Sequence, residues 1–281
     1  MTLVVAVGLC TVDVVQRVAA LPAPGEKVQS LSVEVAAGGP ATNAAVAVAA
    51  LGGRARLVTV LGAHPLARLA AEDLSTCGVE LADVLPSRTD PPPVSAVSVR
   101  TTDGERTVVA HNAKGVQAPP TVDLTAANAL LVDGHHPALA LHAARTAKEQ
   151  GIPVVLDAGS WKPTLPDLLP YVDIAACSAA FTAPEPLTTT IVIRTNGPNP
   201  VTWSTTKTSG EIPAPKVTPR DTTGAGDVWH GAFTLAVARH GRVPTAAALP
   251  EMIEYANQAA AIRIQHEGAR SWVEPMLDQM P

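Results

Sequence analysis

Asp221-Thr222-Thr223-Gly224-Ala225-Gly226-Asp227 runs directly into the apolar sequence Val228-Trp229-His230-Gly231-Ala232-Phe233. Two glycines and an alanine leave the backbone bare just ahead of a segment able to continue as a helix. The N–H groups of such a loop converge on one point, and the helix dipole adds partial positive charge there. Gly224, Ala225 and Gly226 therefore read as an anion hole. An Asp ending that loop repels a bound phosphate unless its task is to take a proton from the attacking nucleophile. The segment implies phosphoryl transfer to a hydroxyl, with Asp227 as the base.

A second loop of this kind lies far upstream, Ala37-Gly38-Gly39-Pro40-Ala41-Thr42-Asn43-Ala44-Ala45-Val46, with Leu51-Gly52-Gly53 behind it. Gly38 and Gly39 let backbone lie close to a ligand where a Cβ would intrude. Asn43 offers both a donor and an acceptor, which suits a hydroxyl. One short Gly-rich turn is commonly only a tight connection. Two in this order, preceded by Gly8 to Asp13, resemble the motifs of the ribokinase-like, or PfkB, family of carbohydrate kinases. The resemblance spans nearly the whole chain. It implies a single α/β domain over residues 1–281, three-layered α/β/α, with a mainly parallel central sheet. It also implies a small projecting β-sheet lid, with strands within about 10–36 and 94–112.

The hydrophobic pattern agrees with alternating strands and helices. Short continuous apolar runs at 4–7, 57–61, 129–132, 154–156, 174–176 and 190–193 predict parallel strands covered on both faces. Helices are predicted at 41–51, 65–77, 137–150, 224–240 and 252–265. Pro65 suits a first helical turn, and Gly78 and Gly151 suit positions just past helix ends. Residues 28–35 and 96–110 instead alternate polar and apolar, with Asp103-Gly104 placed to turn a hairpin. They read as lid strands or as an antiparallel edge of the main sheet.

Hydrophobic residues make up 47% of the chain and aromatics only 3%, so the core is built from Ala, Val and Leu. A net charge of −5 argues against a nucleic-acid surface. Cys10, Cys77 and Cys177 are odd in number and widely spaced, which suits free thiols in a reducing cytoplasm. No stretch approaches the roughly 20 apolar residues of a membrane span.

Residue roles follow from strand ends and from the resemblance. Ligands of open parallel sheets bind beyond the carboxyl ends of strands, where Asp13 follows 4–7 and can accept from vicinal hydroxyls. The resemblance assigns Asp13, Gly38, Gly39 and Asn43 to a sugar, and Thr195, Gly197, Asn257 and Ser178 to the nucleotide. Lys162 follows another strand end and suits a nucleotide phosphate, or else is a solvated surface lysine. Asn257 otherwise reads as a solvent-facing helix residue. Asp221 and Thr223 resemble residues that bind a monovalent cation such as K⁺ in relatives; alternatively Asp221 pins its own loop by accepting N–H groups. His135-His136 is not spaced to bind one metal, and His111 and Asn112 close the presumed lid hairpin.

The chain departs from the family pattern in several places. Thr11 stands where relatives often have Asn, and Pro40 where some have Lys. An Asn-x-x-Glu motif is replaced by Ser178-Ala179-Ala180-Phe181, and Pro184 and Pro186 leave no room for the helix that usually follows. Mg²⁺ then depends chiefly on nucleotide phosphates and water, with Glu185 or Asp157 as candidate help. The expected activity is ATP-dependent phosphorylation of a hydroxymethyl group of a small carbohydrate. The alternatives are a nucleoside kinase of the same fold and a nucleotide-responsive binding protein without catalysis. A small amphipathic lid sheet also implies a homodimer through the lid, since an isolated small sheet rarely buries enough surface.

Overall fold

Every side chain of Leu3–Val7 is buried, and the alternation of a strand divides them between two separate cores. Val4 and Ala6 join one hydrophobic cluster; Leu3, Val5 and Val7 join another. Such a strand has apolar layers on both faces, which is why its sequence is continuously apolar.

The structure is a computed structural model and describes residues 1–102 and 104–280. In chain order the first half comprises β1 (Leu3–Val7), β2 (Thr11–Val18), β3 (Ser32–Gly38), α1 (Pro40–Ala50), β4 (Arg54–Thr59), α2 (Pro65–Thr76), β5 (Val79–Asp83), β6 (Val94–Arg100), β7 (Arg106–His111) and β8 (Ala129–Val132). The second comprises α3 (Pro137–Glu149), β9 (Val154–Ala158), α4 (Leu165–Leu168), β10 (Ile174–Cys177), β11 (Ile191–Asn196), β12 (Asn199–Thr205), β13 (Ser209–Ile212), α5 (Ala225–His240), α6 (Leu249–Ile264) and α7 (Val273–Gln279).

Nine strands form the central sheet in the order β13-β12-β11-β10-β9-β8-β1-β4-β5. It is parallel from β5 to β11, and β12 and β13 add antiparallel strands at one edge. The strand order reverses beside β1, whose neighbours are β4 and β8. That reversal opens a crevice at the carboxyl edge of the sheet. The architecture is three-layered, with α1, α5 and α6 in the core on one face and α3 on the other. Among the described residues, no helix is long and apolar enough to cross a membrane.

A second, four-stranded sheet has the order β3-β2-β6-β7, antiparallel except for the parallel β2–β6 pair. β3, β6 and β7 overlap the stretches where alternation predicted lid strands, and with β2 they form a sheet apart from the main one, so the reading as an edge of the main sheet is not met. Gly104 donates to the Arg100 carbonyl in the β6–β7 turn; its predicted partner Asp103 lies outside the described residues. Asp13 follows β1, as expected, and is part of lid strand β2, opposite Ala36 and Ser95.

No helix interrupts residues 178–190. The consequence appears at the sheet edge. Ile193, Val201, Trp203 and Ile212 enter the core, while Thr202, Ser204 and Glu211 on the opposite face are exposed. That polar alternation is why β12 and β13 escaped a search for continuous apolar runs. β4 begins earlier than 57 because Arg54 and Arg56 alternate outward from buried Ala55 and Leu57, pairing with Glu80.

Candidate active site

Helix α5 starts from Gly224 in a left-handed conformation, φ 70°, and no side chain caps its first N–H groups. The helix end is thus open to an anion. In its first turn the Asp227 carboxylate accepts a 2.8 Å hydrogen bond from Nδ2 of Asn43 on α1. Burial, and after it the Asp157 carboxylate, push Asp227 up to about 6, while the Asn43 bond pulls it down. The raised value suits a base operating near neutrality better than the ordinary ~3.9 of an aspartate.

Asn43 is held in turn. Its Oδ1 faces Nη1 of Arg270 at 3.4 Å, and Arg270 makes a 2.8 Å ion pair with Asp73 and donates to the Ala37 carbonyl. Asp73, Arg270, Asn43 and Asp227 therefore form one chain from α2 to the end of α5. Asn43, expected as a sugar contact, is placed between Arg270 and the candidate base.

Asp13 lies on the lid face turned toward this point, with Thr11 Oγ1 donating to it at 2.5 Å. Burial raises its carboxyl, against the Thr11 and Ser95 hydroxyls and Arg270. The adjacent glycines have a reason internal to the protein. A Cβ on Gly38 would sit 2.0 Å from Asp13 Oδ2, and one on Gly39 (φ 97°) 2.4 Å from the Leu9 carbonyl oxygen. Close backbone approach was expected toward a ligand; here it first admits the Asp13 carboxylate.

A cleft of about 270 Å³ runs from Thr11 and Gly39 past Asp133, Asp157 and Lys162. Asp133, just beyond β8, joins the parts of the crevice. Its Oδ2 accepts from the N–H groups of Leu9 and Ala41, and its Oδ1 from that of His135. Burial alone would raise it, but His135 and these donors hold it well below the usual carboxylate range. Asp133 was missed from sequence, although Asp133-Gly134 after an apolar run is a readable strand-end signal. His135 borders the cleft beside Asp133; His136 is buried in left-handed backbone ahead of α3. Asn112 reaches the cleft, and His111 is exposed at the end of β7.

Asp157, at the end of β9, is buried 3.3 Å from His230 Nδ1 on α5. His230 Nε2 lies 3.1 Å from the Ala176 carbonyl, which can only accept, so Nε2 carries hydrogen. Nδ1 and the facing Asp157 Oδ2 are both buried and, among the described residues, neither has a hydrogen-bond partner. Burial raises the Asp157 carboxyl, against the pull of His230. The Asp157 carboxylate is in turn one of the groups that raise Asp227.

On the nucleotide side, Gly197 turns the β11–β12 hairpin and Thr195 Oγ1 faces the Cys177 carbonyl at 3.4 Å. Ser178 Oγ donates to the Gly159 carbonyl, and Arg194 bonds the carbonyls of Ser178 and Phe181. Lys162 is half-buried at the cleft and 3.4 Å from the Ser160 carbonyl. Asn257, expected at the nucleotide, is not solvent-facing as the alternative had it: it is buried, accepting from Trp229 Nε1 and donating to the Pro213 carbonyl. Its amide is spent on joining α5 to the end of β13. Glu185 is exposed, and among the described residues no cluster of three His, Cys, Asp or Glu could hold a metal.

Asp221 pins its own loop, the alternative reading of its role. It is buried, its Oδ1 accepts from Thr223 N and its Oδ2 from Gly268 N, Arg17 and, more distantly, Arg263. Its carboxylate therefore already carries two N–H groups and a guanidinium. Burial opposes ionisation, but Arg263 and the donated N–H groups outweigh it and keep the carboxyl below its ordinary range.

The two glycine loops, the lid and the α5 terminus thus converge on one crevice, in the order in which the sequence presents them. The model of the pfkB family of carbohydrate kinases matches residues 1–180 and 175–275. The chain belongs to that family. It is therefore a carbohydrate kinase. Curated relatives include ribokinase of Arabidopsis thaliana, 28% identical over 94% of this chain and 76% of that one. Ribokinase of Bacillus subtilis is 24% identical over 94% of this chain and 93% of its own. Among solved structures, Arabidopsis thaliana ribokinase complexed with ribose and ATP has a TM-score of 0.78 at 24% identity, covering 98% of each chain.

Proposed function

We propose that this carbohydrate kinase transfers the γ-phosphate of ATP to a hydroxymethyl group of a small sugar, with Asp227 as catalytic base. The observation that carries the reading is the Asp227 carboxylate, held by Asn43 at the uncapped N-terminus of α5. A sugar hydroxyl beside Asp227 loses its proton to that carboxylate as its oxygen bonds to phosphorus and the bridge to ADP breaks. The N–H groups of Gly224, Ala225 and Gly226 stabilise charge on the transferred phosphoryl group. Asp13 accepts from the sugar's other hydroxyls, and Gly38, Gly39 and Asn43 line its seat. ATP lies toward Thr195, Gly197 and Ser178, with Lys162 available to a phosphate and Asn257 supporting the adenine side from within the core. A Mg²⁺ ion would be held chiefly by the nucleotide phosphates and water and would neutralise their charge, since Glu185 is exposed and Asp157 is the one carboxylate of the two that lines the cleft.

A sugar is favoured over a nucleoside because β2, β3, β6 and β7 carry no Phe, Tyr or Trp on which a base could stack. The intact Asp227 and its loop favour catalysis over nucleotide sensing alone. We further infer that a second copy of the chain covers the outer lid face. There Val35, Val14, Ala96 and Val109 form an in-register apolar row across all four strands, with Val35 and Val109 exposed. The free thiols Cys10, Cys77 and Cys177 suit a reducing cytoplasm. The activity is tested by ADP release from ATP and Mg²⁺ against a panel of pentoses, hexoses and nucleosides. Turnover of sugars alone is expected; turnover of nucleosides alone would replace the substrate class, and none with any acceptor would remove the reading.

A further inference from the structure

Arg17 reaches 204 residues along the chain to Asp221, at 2.6 Å, and both side chains are buried. On β2 the alternation of a strand puts Arg17 on the same face as Asp13 and Val15, the face turned toward the crevice. Arg263, on α6, approaches the same Asp221 oxygen at 3.6 Å and donates to the carbonyls of Asp221 and His266. The oxygens that could gather around a small cation, one carboxylate and two carbonyls, are thus already taken by guanidinium N–H groups. Two positive charges meet one carboxylate, and a further cation entering this group would be repelled.

We infer that Arg17 is a positioning residue that replaces a bound monovalent cation: supplied by the lid strand, it orders the Asp221–Asp227 loop and ties the anion hole to the strand carrying Asp13. Arg263 is its partner from the core side. Asp221 N and Arg220 N both bond the Ile264 carbonyl, and Asp221 Oδ1 fixes Thr223 N, so this group sets the backbone from which Gly224 turns into α5. The kinase accordingly needs no added K⁺ or Na⁺. The inference rests on the proposed role of residues 221–227 as the phosphoryl site, but its first test does not.

That test is the thermal midpoint of the unliganded protein in KCl, NaCl or tetramethylammonium chloride at equal ionic strength of about 0.1 M, where surface screening is matched. Equal midpoints are expected; a midpoint raised by KCl alone, saturating with concentration, would overturn the inference even if no acceptor were turned over. Turnover, once an acceptor is found, should vary less than about 2-fold among the three salts, the range left once ionic strength is matched. Arg17→Met should lower kcat about 10²-fold through a displaced loop, and millimolar guanidinium or K⁺ should restore part of it. Arg17→Lys, which retains the charge, should remain active and indifferent to K⁺, and it serves if the Met variant does not fold. Full activity of Arg17→Met in tetramethylammonium chloride would show that Arg17 orders nothing and overturn the assignment.

Discussion

Asp227 is held at about 6 by burial and by Asp157, and two consequences can be measured. As the base it must be ionised, so kcat/KM should fall as pH drops through about 6 and level off above it. Its folded pKa lies above the unfolded ~3.9, so the native state binds the extra proton and loses stability as pH rises between those values. At neutral pH the ionised carboxylate is therefore a net cost to the fold. Asp227→Asn keeps the shape and the Asn43 contact but removes the charge. It should cut kcat by at least ~10²-fold while raising the thermal midpoint at pH 7. Near-normal turnover in steady-state assays would remove Asp227 from its role. Asp13→Ala should act differently, weakening sugar binding by roughly 1.5–3 kcal/mol, about one to two decades, with ATP affinity unchanged. Calorimetric titration of each ligand separates the two sides of the crevice; a loss confined to ATP would reverse their assignment.

Among the elements, the segment between β10 and β11 departs furthest from the family pattern. Ser178-Ala179-Ala180-Phe181 carries no carboxylate, and Phe181 is buried against Trp161 with ring centroids 6.0 Å apart. Phe181→Glu, which would restore an acidic residue there, places a charge in the core and should cost at least about 3 kcal/mol. Denaturant titration would register this as a lower midpoint. With the segment unaltered, metal dependence should follow formation of the MgATP complex, with little further response to free Mg²⁺. Initial rates against free Mg²⁺ at fixed MgATP test this; a steep rise beyond nucleotide saturation would reveal a protein-held metal. Thr202, Ser204 and Glu211 lie in solvent on the uncovered face of β12 and β13, which is why polar residues stand there.

For the molecule as a whole, the lid is the element whose inner and outer faces serve separate ends. Its inner face carries Asp13 and Arg17 toward the core domain, and its outer face presents Val33, Val35 and Val109, each about half exposed or more. Val109→Lys, at the outer edge of the apolar row, should convert a dimer to a monomer in light scattering after gel filtration. An unchanged mass, or a wild-type protein already monomeric, would dismiss the lid interface. The buried Arg17–Asp221 pair crosses from lid to core, so lid position and anion-hole geometry should shift together.

Much of this was legible in the chain. Continuous runs such as Leu3–Val7 marked strands buried on both faces, alternation marked β3, β6 and β7 of the lid, and the Gly38-Gly39 and Gly224–Asp227 loops marked the candidate site. These are local properties, since side-chain period and the steric freedom of glycine act over a few neighbouring residues. Less legible were the partners. Nothing local links Asn43 to Asp227, 184 residues away, or Arg17 to Asp221, and nothing in Asn257 announces that Trp229 and Pro213 will consume its amide. Charges and amides pair with whatever the strand order brings within about 3 Å, and burial then makes each pairing obligatory. The chain's local chemistry therefore specified where the candidate site lies, while sheet topology chose which side chains hold Asp227 and which charge occupies the place beside Asp221.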